Sequence, residues 1–488
     1  MWRLSWELTM QYQKLFIGGN WQAPSSDRQL EVENPANREI TGHCPEAVED
    51  DVDAAVAAAQ GALKAPDWAA LAPAQRADLI DALGASIKAR AKDLANCAVQ
   101  EIGAPISFSM GQVAMARMTL KFFAQQAREL NFEEQRKGFF GQVLVRKEPV
   151  GVVAAIVPYN GPLFAGMLKI GPALASGCTV VLKVPVETPL FSYILAECIE
   201  EAGIPGGVIN ILASDRSASE YLVSHAGVNM ATITGSLNAG RRVAEVCGAQ
   251  VKRAALELGG KSAAIVCEDA VLADVVPGLA NAAVINSGQA CAAQTRILIP
   301  RSRYEEFVQA IAAAFEAMKL GDPASADTQL GPMIHEQHLN RVKEYVDLGV
   351  SEGARLVTGG GTPEHLKAGY YIEPTLLADV SNHMRVAREE IFGPVVCAIP
   401  YSDIDEAISI ANDSDMGLSG SVWTADVEQG LKVARRIETG NFSINGFSMD
   451  VAAPFGGYKS SGLGRELGEE GMYDYLEFKT INLPAPAQ

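Results

Sequence analysis

The sequence predicts an α/β protein built from several lobes. Helical and strand-like patterns alternate through most of the chain, which argues against an all-helical or an all-β fold. The length of 488 residues suggests roughly three domains or lobes. Apolar residues make up 48% of the chain and charged residues 20%. This is the balance of an ordinary globular protein, and it excludes a disordered, collagen-like or disulfide-stapled chain.

The individual elements follow from apolar periodicity. Residues with helical spacing predict helices at 50–63 and 74–97, with Pro73 placed to open the second one. Short apolar runs, each followed by turn residues, predict buried strands at 150–157, 179–182, 208–212, 230–234 and 262–267. A further helix is predicted at 273–287. Runs that alternate apolar and charged residues, at 143–147 and 476–480, predict exposed edge strands available for pairing with another subunit.

Charge and cysteine usage exclude several classes of partner. The 40 basic and 58 acidic residues give a net charge of −18, which repels nucleic acid and anionic membranes. The eight cysteines stand singly, a pattern typical of a reducing compartment and of neither a zinc site nor a disulfide framework. Residues 1–13 lack the apolar core of a signal peptide, and prolines interrupt the charge-free run 149–168. We therefore expect a soluble cytoplasmic protein.

Two local patterns look functional but are interpreted as ordinary. The segment Gly259-Gly260-Lys261-Ser262 resembles the end of a phosphate-binding loop, but the earlier glycine that such a loop needs is replaced by Ala255. His335 and His338 lie three residues apart without a third ligand nearby, so we expect solvated side chains and no metal.

Three segments contain residues that could take part in catalysis. Cys291 stands among small residues after a Gly-Gln turn, which suggests a thiol that is accessible to a ligand. A free cysteine taken alone, however, is more often an inert core residue. Glu257 is a lone acid in an apolar run, where its pKa should be raised into the range of a general base. Asn160 follows a predicted buried strand, so its amide could donate a hydrogen bond to an oxyanion.

Six motifs that include these segments occur in a characteristic order. They are Tyr159-Asn160, Thr234-Gly235-Ser236, Glu257-Leu258-Gly259-Gly260-Lys261, Gly288-Gln289-Ala290-Cys291, Glu390-Ile391-Phe392-Gly393-Pro394 and Pro454-Phe455-Gly456-Gly457-Tyr458-Lys459-Ser460. With these motifs the chain resembles the aldehyde dehydrogenase superfamily, in the branch that hydrolyses its thioester, from about residue 15 to about residue 483. Two alternatives remain open: a CoA-acylating relative and a non-catalytic protein that retains the fold.

The resemblance implies an aldehyde dehydrogenase-like fold with a Rossmann-type cofactor lobe, an α/β catalytic lobe and a small β oligomerisation arm. The implied NAD(P)-binding domain spans 13–128 and 148–259, and the catalytic domain spans 260–446. Residues 129–147 and 470–488 correspond to oligomerisation arms, and 447–469 to a substrate loop and return segment. The arms imply a homodimer or a homotetramer.

The resemblance also implies a covalent mechanism. Cys291, as a thiolate, attacks an aldehyde to give a hemithioacetal, which becomes a thioester. The Asn160 amide and the Cys291 N–H hold the oxyanion, and Glu257 activates the water that releases the acid. Lys169 and Glu466 match positions linked to a proton path from that glutamate, with a structural ion pair as the alternative.

The cofactor implied by the resemblance is a nicotinamide dinucleotide. Thr234-Gly235-Ser236 leads from a strand into a helix, whose N-terminus favours a pyrophosphate, although the pattern alone also fits a simple helix cap. By resemblance Lys183 reaches the adenosine ribose, Glu390 binds the nicotinamide ribose and Phe392 packs near the ring. The complete set of expected cofactor contacts is Ile156, Pro158, Tyr159, Lys183, Gly235, Ser236, Gly240, Glu257, Leu258, Gly259, Glu390 and Phe392.

One departure bears on which dinucleotide is used. Many NAD-using relatives carry a glutamate three positions after the lysine, where this chain has Val186, with Glu187 one place later. Loss of that acid removes a repulsion against the 2′-phosphate of NADP. No new basic residue stands beside Val186 in the sequence to pair with a phosphate, so NAD is expected and NADP is possible.

The substrate is expected to be a small-molecule aldehyde of neutral, apolar character. The positions that line the substrate tunnel by resemblance are apolar and several are small: Gly161, Phe164, Ala165, Leu168, Ala290, Ala292, Met449 and Phe455. None is Arg or Lys, so a second carboxylate on the substrate would be buried without a partner. We expect a medium-chain aliphatic, terpenoid or aromatic aldehyde.

Overall fold

The computed structural model describes residues 9–484. Residues 1–8 and 485–488, which fall in the N-terminal segment 1–13 and in the predicted arm 470–488, lie outside the described residues. Among residues 9–484, no helix is both long and apolar enough to cross a membrane.

The N-terminal segment contributes short strands followed by helices. The strands are β1 (Met10–Gln11), β2 (Leu15–Ile17), β3 (Asn20–Gln22), β4 (Gln29–Glu33) and β5 (Ile40–Pro45). The helices are α1 (Glu49–Lys64), α2 (Pro66–Ala69), α3 (Pro73–Ala89), α4 (Ala91–Ile102) and α5 (Ile106–Glu129). The single helix expected at 74–97 was wrong, because the backbone leaves helical geometry at Arg90. Both α3 and α4 pack against α5 and α7, and α3 also packs against α6.

A hairpin and a C-terminal strand form a separate three-stranded sheet. The hairpin comprises β6 (Glu133–Lys137) and β7 (Gln142–Pro149). The last strand of the chain, Leu476–Asn482, pairs antiparallel with β7 on its other side. The expectation that 143–147 forms an edge strand was therefore wrong: β7 is the central strand, and the other two strands are the edges.

The next segment builds the first large sheet from a regular strand–helix alternation. Its strands are β8 (Val152–Ile156), β9 (Thr179–Val184), β10 (Ile209–Ala213), β11 (Met230–Thr234) and β12 (Arg253–Glu257), in the parallel order β12-β11-β8-β9-β10. The connecting helices are α6 (Pro162–Ser176), α7 (Phe191–Glu201), α8 (Arg216–Ser224) and α9 (Leu237–Ala249). Strand β2 extends this sheet antiparallel to β10. The order reverses around β8, the kind of switch point where α/β sheets bind ligands.

The second large sheet has seven strands. They are β13 (Ala263–Val266), β14 (Arg296–Pro300), β15 (Arg355–Thr358), β16 (Thr375–Ala378), β17 (Val395–Tyr401), β19 (Gly420–Trp423) and β20 (Ser443–Ile444), whereas β18 (Met416–Gly417) lies outside this sheet. All neighbours pair in parallel except β15 with β16. The helices around it are α10 (Leu272–Val284), α11 (Tyr304–Glu316), α12 (Glu336–Ser351), α13 (Arg385–Arg388), α14 (Ile404–Asn412) and α15 (Val427–Ala434).

The C-terminal segment returns to the first sheet. Its elements are β21 (Tyr458–Lys459), β22 (Gly462–Leu463), α16 (Glu470–Tyr473) and β23 (Leu476–Asn482). Strand β22 pairs antiparallel with β12 and so brings residues 454–466 against the first sheet. The helix expected at 273–287 ends early, because α10 stops at Val284 and a 3₁₀ turn follows at Ile285–Gly288.

Candidate active site

A cavity of about 650 Å³ opens where the two large sheets face each other. From the first sheet it is lined by residues that follow the carboxyl ends of β8, β11 and β12. The second sheet's lobe contributes Cys291, Glu390 and Phe392. The motifs that stood far apart in the sequence therefore meet in one space, at the strand ends where α/β sheets bind ligands.

The loop after α10 presents Cys291. Asn286 and Ser287 adopt positive φ angles of 50° and 57°, which turns the chain sharply out of the helix. Ser287 Oγ is anchored to the Gly331 carbonyl at 2.9 Å. Cys291 is half-buried, whereas the other seven cysteines are buried, and all eight are free. Its thiol is thus the one that reaches the cavity.

The surroundings of Cys291 oppose ionisation of its thiol. Burial, together with the charges of Glu257, Glu390 and Glu466, raises the pKa of the thiol well above its ordinary value. The thiolate that the resemblance implies therefore requires a nearby base to take the proton from the sulfur.

The Asn160 amide is held by the loop that carries the cysteine. Its Nδ2 donates to the carbonyl oxygen of Gln289 at 2.8 Å. Asn286 Nδ2 lies 3.2 Å from the same oxygen and 3.2 Å from the carbonyl oxygen of Asn160. The side chain of Gln289 is itself fixed by bonds to the backbone of Pro332 and Ile334. This network fixes the orientation of Asn160 relative to Cys291.

Glu257 ends β12 and is 4% exposed. Its Oε1 has no hydrogen-bond partner. Burial raises the pKa of this carboxyl well above its ordinary value, the charge of Glu466 raises it further, and Lys169 opposes the shift. A carboxyl in this state can accept a proton near neutral pH.

A buried ion pair lies behind Glu257. Lys169 on α6 is 0% exposed, and its Nζ lies 2.6 Å from Glu466 Oε1 and 2.8 Å from Thr234 Oγ1. The second oxygen of Glu466 has no partner, and Glu466 lines the large cavity. The two residues expected on a proton path are thus in direct contact, and Glu466 of this pair forms part of the cavity wall.

The expected nicotinamide region is lined by a carboxylate and aromatic rings. Glu390 accepts the Gly260 N–H at 3.1 Å, and burial raises its pKa to about 7. A Cβ at position 259 would lie 2.2 Å from Glu390 Oε2, so only glycine lets the carboxylate approach there. The Phe392 ring lies 5.9 Å from that of Tyr159, centroid to centroid.

His338 belongs to the same wall, contrary to the expectation of a solvated side chain. Its Nε2 lies 2.7 Å from the Phe392 carbonyl oxygen, and burial lowers its pKa to about 4, so the ring is neutral at physiological pH. His335 instead accepts the His338 N–H through Nδ1 and caps α12. Within residues 9–484, no cluster of three or more His, Cys, Asp or Glu side chains is arranged to hold a metal.

A second cavity of about 340 Å³ adjoins the first and shares Ile156, Glu187, Ile233 and Ala239 with it. Lys183 and Val186 line it, and burial lowers the pKa of Lys183 to about 8. The structure also brings basic residues from α8 and α9 into this wall, namely Arg216 and Arg242. The sequence neighbourhood of Val186 does not show these two residues, which come from elements farther along the chain; Arg242 is already paired with Glu220 and Glu245.

Most of the expected cofactor residues lie in these two walls. Ser236 caps α9 by accepting the Ala239 N–H at 3.3 Å, and it lines the large cavity together with Gly235. Gly240 lines neither cavity, because Leu258 packs over it; a Cβ there would lie 2.4 Å from that side chain. Its contribution is close packing of α9 against the segment after β12. The other expected residues in the large cavity are Ile156, Pro158, Tyr159, Glu257, Leu258, Gly259, Glu390 and Phe392.

The expected tunnel residues all line the large cavity: Gly161, Phe164, Ala165, Leu168, Ala290, Ala292, Met449 and Phe455. The structure adds Phe108, Gln112, Ile285 and Phe447, which the sequence analysis missed. Phe447 could have been found from its spacing of two from Met449, since both occupy one extended segment. Phe108 and Gln112 lie about 50 residues before the first motif, and no local signal points to them.

Comparison with known proteins agrees with this arrangement. The family model described as "Aldehyde dehydrogenase family" matches residues 21–481. The chain belongs to the aldehyde dehydrogenase family. It is accordingly an oxidoreductase that acts on aldehydes, and the resemblance seen in the motifs is confirmed, as is the α/β fold class.

Individual members of the family align over almost the whole chain. Geranial dehydrogenase of Castellaniella defragrans is 45% identical over 98% of this chain and 100% of its own length. The crystal structure of a Mycobacterium tuberculosis aldehyde dehydrogenase complexed with NAD+ has a TM-score of 0.97 at 44% identity, covering 99% of this chain and 100% of that one. A Pseudomonas syringae aldehyde dehydrogenase C variant, complexed with NAD+ and octanal, has a TM-score of 0.94 at 40% identity and covers 98% of each chain.

The residues present fit the dinucleotide that the aldehyde dehydrogenase family uses. Two connected cavities offer separate spaces for its halves, with the N-terminus of α9 between them. The close approach of Gly259 and Glu390 leaves a carboxylate at the wall that a ribose hydroxyl could reach. The half-buried Lys183 lines the smaller cavity and forms no salt bridge within residues 9–484. Both side chains are hydrogen-bonding groups that suit ribose hydroxyls.

Proposed function

We propose that the protein oxidises a neutral, apolar aldehyde to the free carboxylic acid, with NAD+ as its first cofactor and NADP+ as a possible second, through a covalent adduct on Cys291. One observation carries this proposal: Cys291 shares a single cavity with Glu257 and Asn160, and the eight tunnel residues contain no cation. Arg341, which also lines this cavity, donates to the Glu390 carbonyl on the side of the expected nicotinamide region. The substrates named for geranial dehydrogenase and for the octanal complex are of the same neutral class and support it.

The first step needs removal of the thiol proton. The Cys291 Sγ forms a bond to the aldehyde carbon while its proton passes to a base. Glu257 is the base that the geometry favours, since it is buried, its Oε1 is unpartnered and its pKa is raised. When the attack and the removal of the proton occur in one step, no free thiolate forms beside the carboxylates of Glu257, Glu390 and Glu466.

The negative charge that develops on the substrate oxygen requires donors. We assign this role to the Asn160 amide and the Cys291 backbone N–H, with Asn160 oriented by its bond to the Gln289 carbonyl. Loss of one such donor typically lowers kcat about 10²–10³-fold. A bound nicotinamide supplies the hydride acceptor that converts the adduct into a thioester.

Release of the acid uses the same carboxyl a second time. Glu257 first gives up the thiol proton. It then removes a proton from water, the water oxygen attacks the thioester carbon, and the C–S bond breaks as this second proton passes to the departing Cys291 sulfur. Glu466 lines the cavity and pairs with Lys169, so we propose that the proton passes from Glu257 toward this pair.

The apolar walls of the tunnel disfavour a charged substrate, because the desolvation penalty for burying an unpaired carboxylate is on the order of several kcal/mol.

The wider organisation is part of the proposal. We assign residues 13–128 and 148–259 to NAD(P) binding and 260–446 to the catalytic domain, with 447–469 as the substrate loop. The sheet of β6, β7 and β23 is the arm through which a homodimer or a homotetramer forms; Phe139 and Phe140 stand fully exposed at its turn. Eight free cysteines are typical of a reducing compartment, which supports the cytoplasm as location.

An aldehyde panel tests the function. Octanal, citral and benzaldehyde are expected to give higher kcat/KM than succinic semialdehyde, measured by absorbance of the reduced cofactor with NAD+ and with NADP+. Cys291→Ala is expected to abolish oxidation while NAD+ binding, measured by calorimetry, persists. The matched control is Cys44→Ala, a buried cysteine outside both cavities.

Three outcomes would contradict the proposal. A preference for succinic semialdehyde would overturn the substrate class. Formation of an acyl-CoA when CoA is added, in place of the free acid, would favour the CoA-acylating alternative. A folded protein that binds NAD+ and turns over no aldehyde would favour a non-catalytic role.

A further inference from the structure

Helix α5 places one uncharged polar side chain, Gln112, in the wall of the large cavity. Phe108 and Gln112 are four residues apart on this helix, so they lie on the same face, and both line the cavity that contains Cys291. Apart from the catalytic and cofactor groups, the other side chains around this part of the cavity are apolar, among them Phe164, Leu168 and Met449.

The Gln112 amide lies directly beside Gly161 in this wall. A Cβ at position 161 would lie 2.9 Å from Gln112 Oε1 and 3.7 Å from its Cδ. The amide therefore occupies the space that any larger residue at 161 would fill. Gly161 has a φ of −169°, outside the left-handed range that favours glycine. What glycine provides here is room for the amide.

The amide has no partner within the protein. Gln112 is half-buried and forms no hydrogen bond to the described residues, whereas the amide of Asn160, which lines the same cavity, donates to the Gln289 carbonyl in the loop that carries Cys291. An amide offers both a donor and an acceptor, and a free one against apolar neighbours can discriminate between ligands by hydrogen bonding.

We propose that Gln112 is a specificity-determining residue that favours neutral aldehydes bearing one hydrogen-bonding oxygen, a hydroxyl or a carbonyl, over hydrocarbon aldehydes of the same size. This inference rests on the proposed function and narrows its substrate class. A charged group would still be excluded, because the amide carries no charge to balance it. The effect belongs to binding, so it falls on KM more than on kcat.

Paired substrates test the inference. The pairs are benzaldehyde with 3- and 4-hydroxybenzaldehyde, and octanal with 7- and 8-hydroxyoctanal. For at least one pair the wild-type protein is expected to prefer the hydroxylated member, and Gln112→Leu to lower the ratio of kcat/KM values about fivefold, as for one net hydrogen bond. The change should appear as a higher KM for the hydroxylated aldehyde. Gln125→Leu, the same substitution at an exposed position of α5, is the matched control and should leave the ratio as it was.

A second variant displaces the same amide by changing its neighbour Gly161. Gly161→Ala puts a methyl group 2.9 Å from Gln112 Oε1, which is too close, so the flexible Gln112 side chain has to move away. This variant should reproduce the loss of preference, and adding Gln112→Ala to it should cause no further loss. An unchanged substrate ratio in both Gln112→Leu and Gly161→Ala would overturn the inference but leave aldehyde oxidation intact. Absence of turnover with every aldehyde would overturn the proposed function as well.

Discussion

The Nζ of Lys169 lies 2.6 Å from the carboxylate of Glu466, and both side chains are buried beside the cavity that holds Cys291. The pair is unequal in its partners: Lys169 also donates to Thr234, whereas one oxygen of Glu466 has no partner. The two charges act in opposite directions on the pKa of Glu257, since Glu466 raises it and Lys169 lowers it. This pair therefore tunes the base that the mechanism uses twice.

Glu466→Gln should shift the pH profile toward acid. The substitution removes the negative charge that raises the pKa values of Glu257 and Cys291, while the amide oxygen can still accept the Lys169 bond. With a lower pKa, Glu257 is deprotonated at lower pH, so the rising limb of kcat against pH should begin earlier. The measurement is a steady-state pH–rate profile with thermal unfolding to verify the fold. Glu336→Gln, an exposed acid paired with Arg38, is the control; a shift toward alkaline pH would contradict the assignment.

Glu257→Gln should separate the two halves of the reaction. An amide cannot accept a proton from water, so steady-state turnover should fall by roughly 10²–10⁴-fold. Thioester formation should slow as well, because Glu257 also accepts the thiol proton, but loss of that proton to solvent still lets it proceed once per site. A stopped-flow experiment should therefore show a slow, stoichiometric burst of reduced cofactor ahead of the still slower steady state. Glu268→Gln, an exposed acid bonded to Ser302, should behave like the wild type. An undiminished steady-state rate would show that another group activates the water.

Val186→Glu should strengthen discrimination against NADP+. The new carboxylate would stand in the wall of the smaller cavity with Lys183 and Arg216, where it would repel a 2′-phosphate. The ratio of kcat/KM for NADP+ to that for NAD+ should fall about tenfold or more, as expected for a like-charge contact near a surface. Val186→Gln has a similar size without the charge and is the matched control. Equal ratios in the two variants would place the 2′-position elsewhere.

The arm should hold subunits together. Strand β7 is paired on both sides within the chain, yet Phe139 and Phe140 at the hairpin turn are fully exposed and Phe478 on β23 is 53% exposed. Such exposed aromatic groups are typical of subunit contacts. Light scattering at micromolar concentration should show a dimer or a tetramer, and changing both Phe139 and Phe140 to Ser should lower the mass. A wild-type protein that is entirely monomeric would reject the arm assignment.

The sequence was informative wherever a property depends on neighbouring residues. Strand β11 was predicted at its observed bounds, and the other predicted strands of the first sheet differ from the observed ones by one to two residues at their ends. The single helix predicted at 74–97 was wrong because the backbone leaves helical geometry at Arg90, whose side chain pairs with Asp93 and with Glu197 of α7, a tertiary contact that periodicity does not record. The order of the motifs identified the family, and with it the candidate nucleophile, base and oxyanion donor.

The composition and motifs thus determined the α/β class, the family and the residue types that can perform the chemistry. Only the tertiary structure decided that His338 lines the cofactor wall, that Arg216 faces the cavity of Val186, and that Gln112 reaches the tunnel beside Gly161. It also showed that burial and three nearby carboxylates raise the pKa of the Cys291 thiol. The physical reason is the same in each case: a pKa and a cavity wall depend on burial and on charges from elements far apart in the chain, and local sequence pattern does not encode those distances.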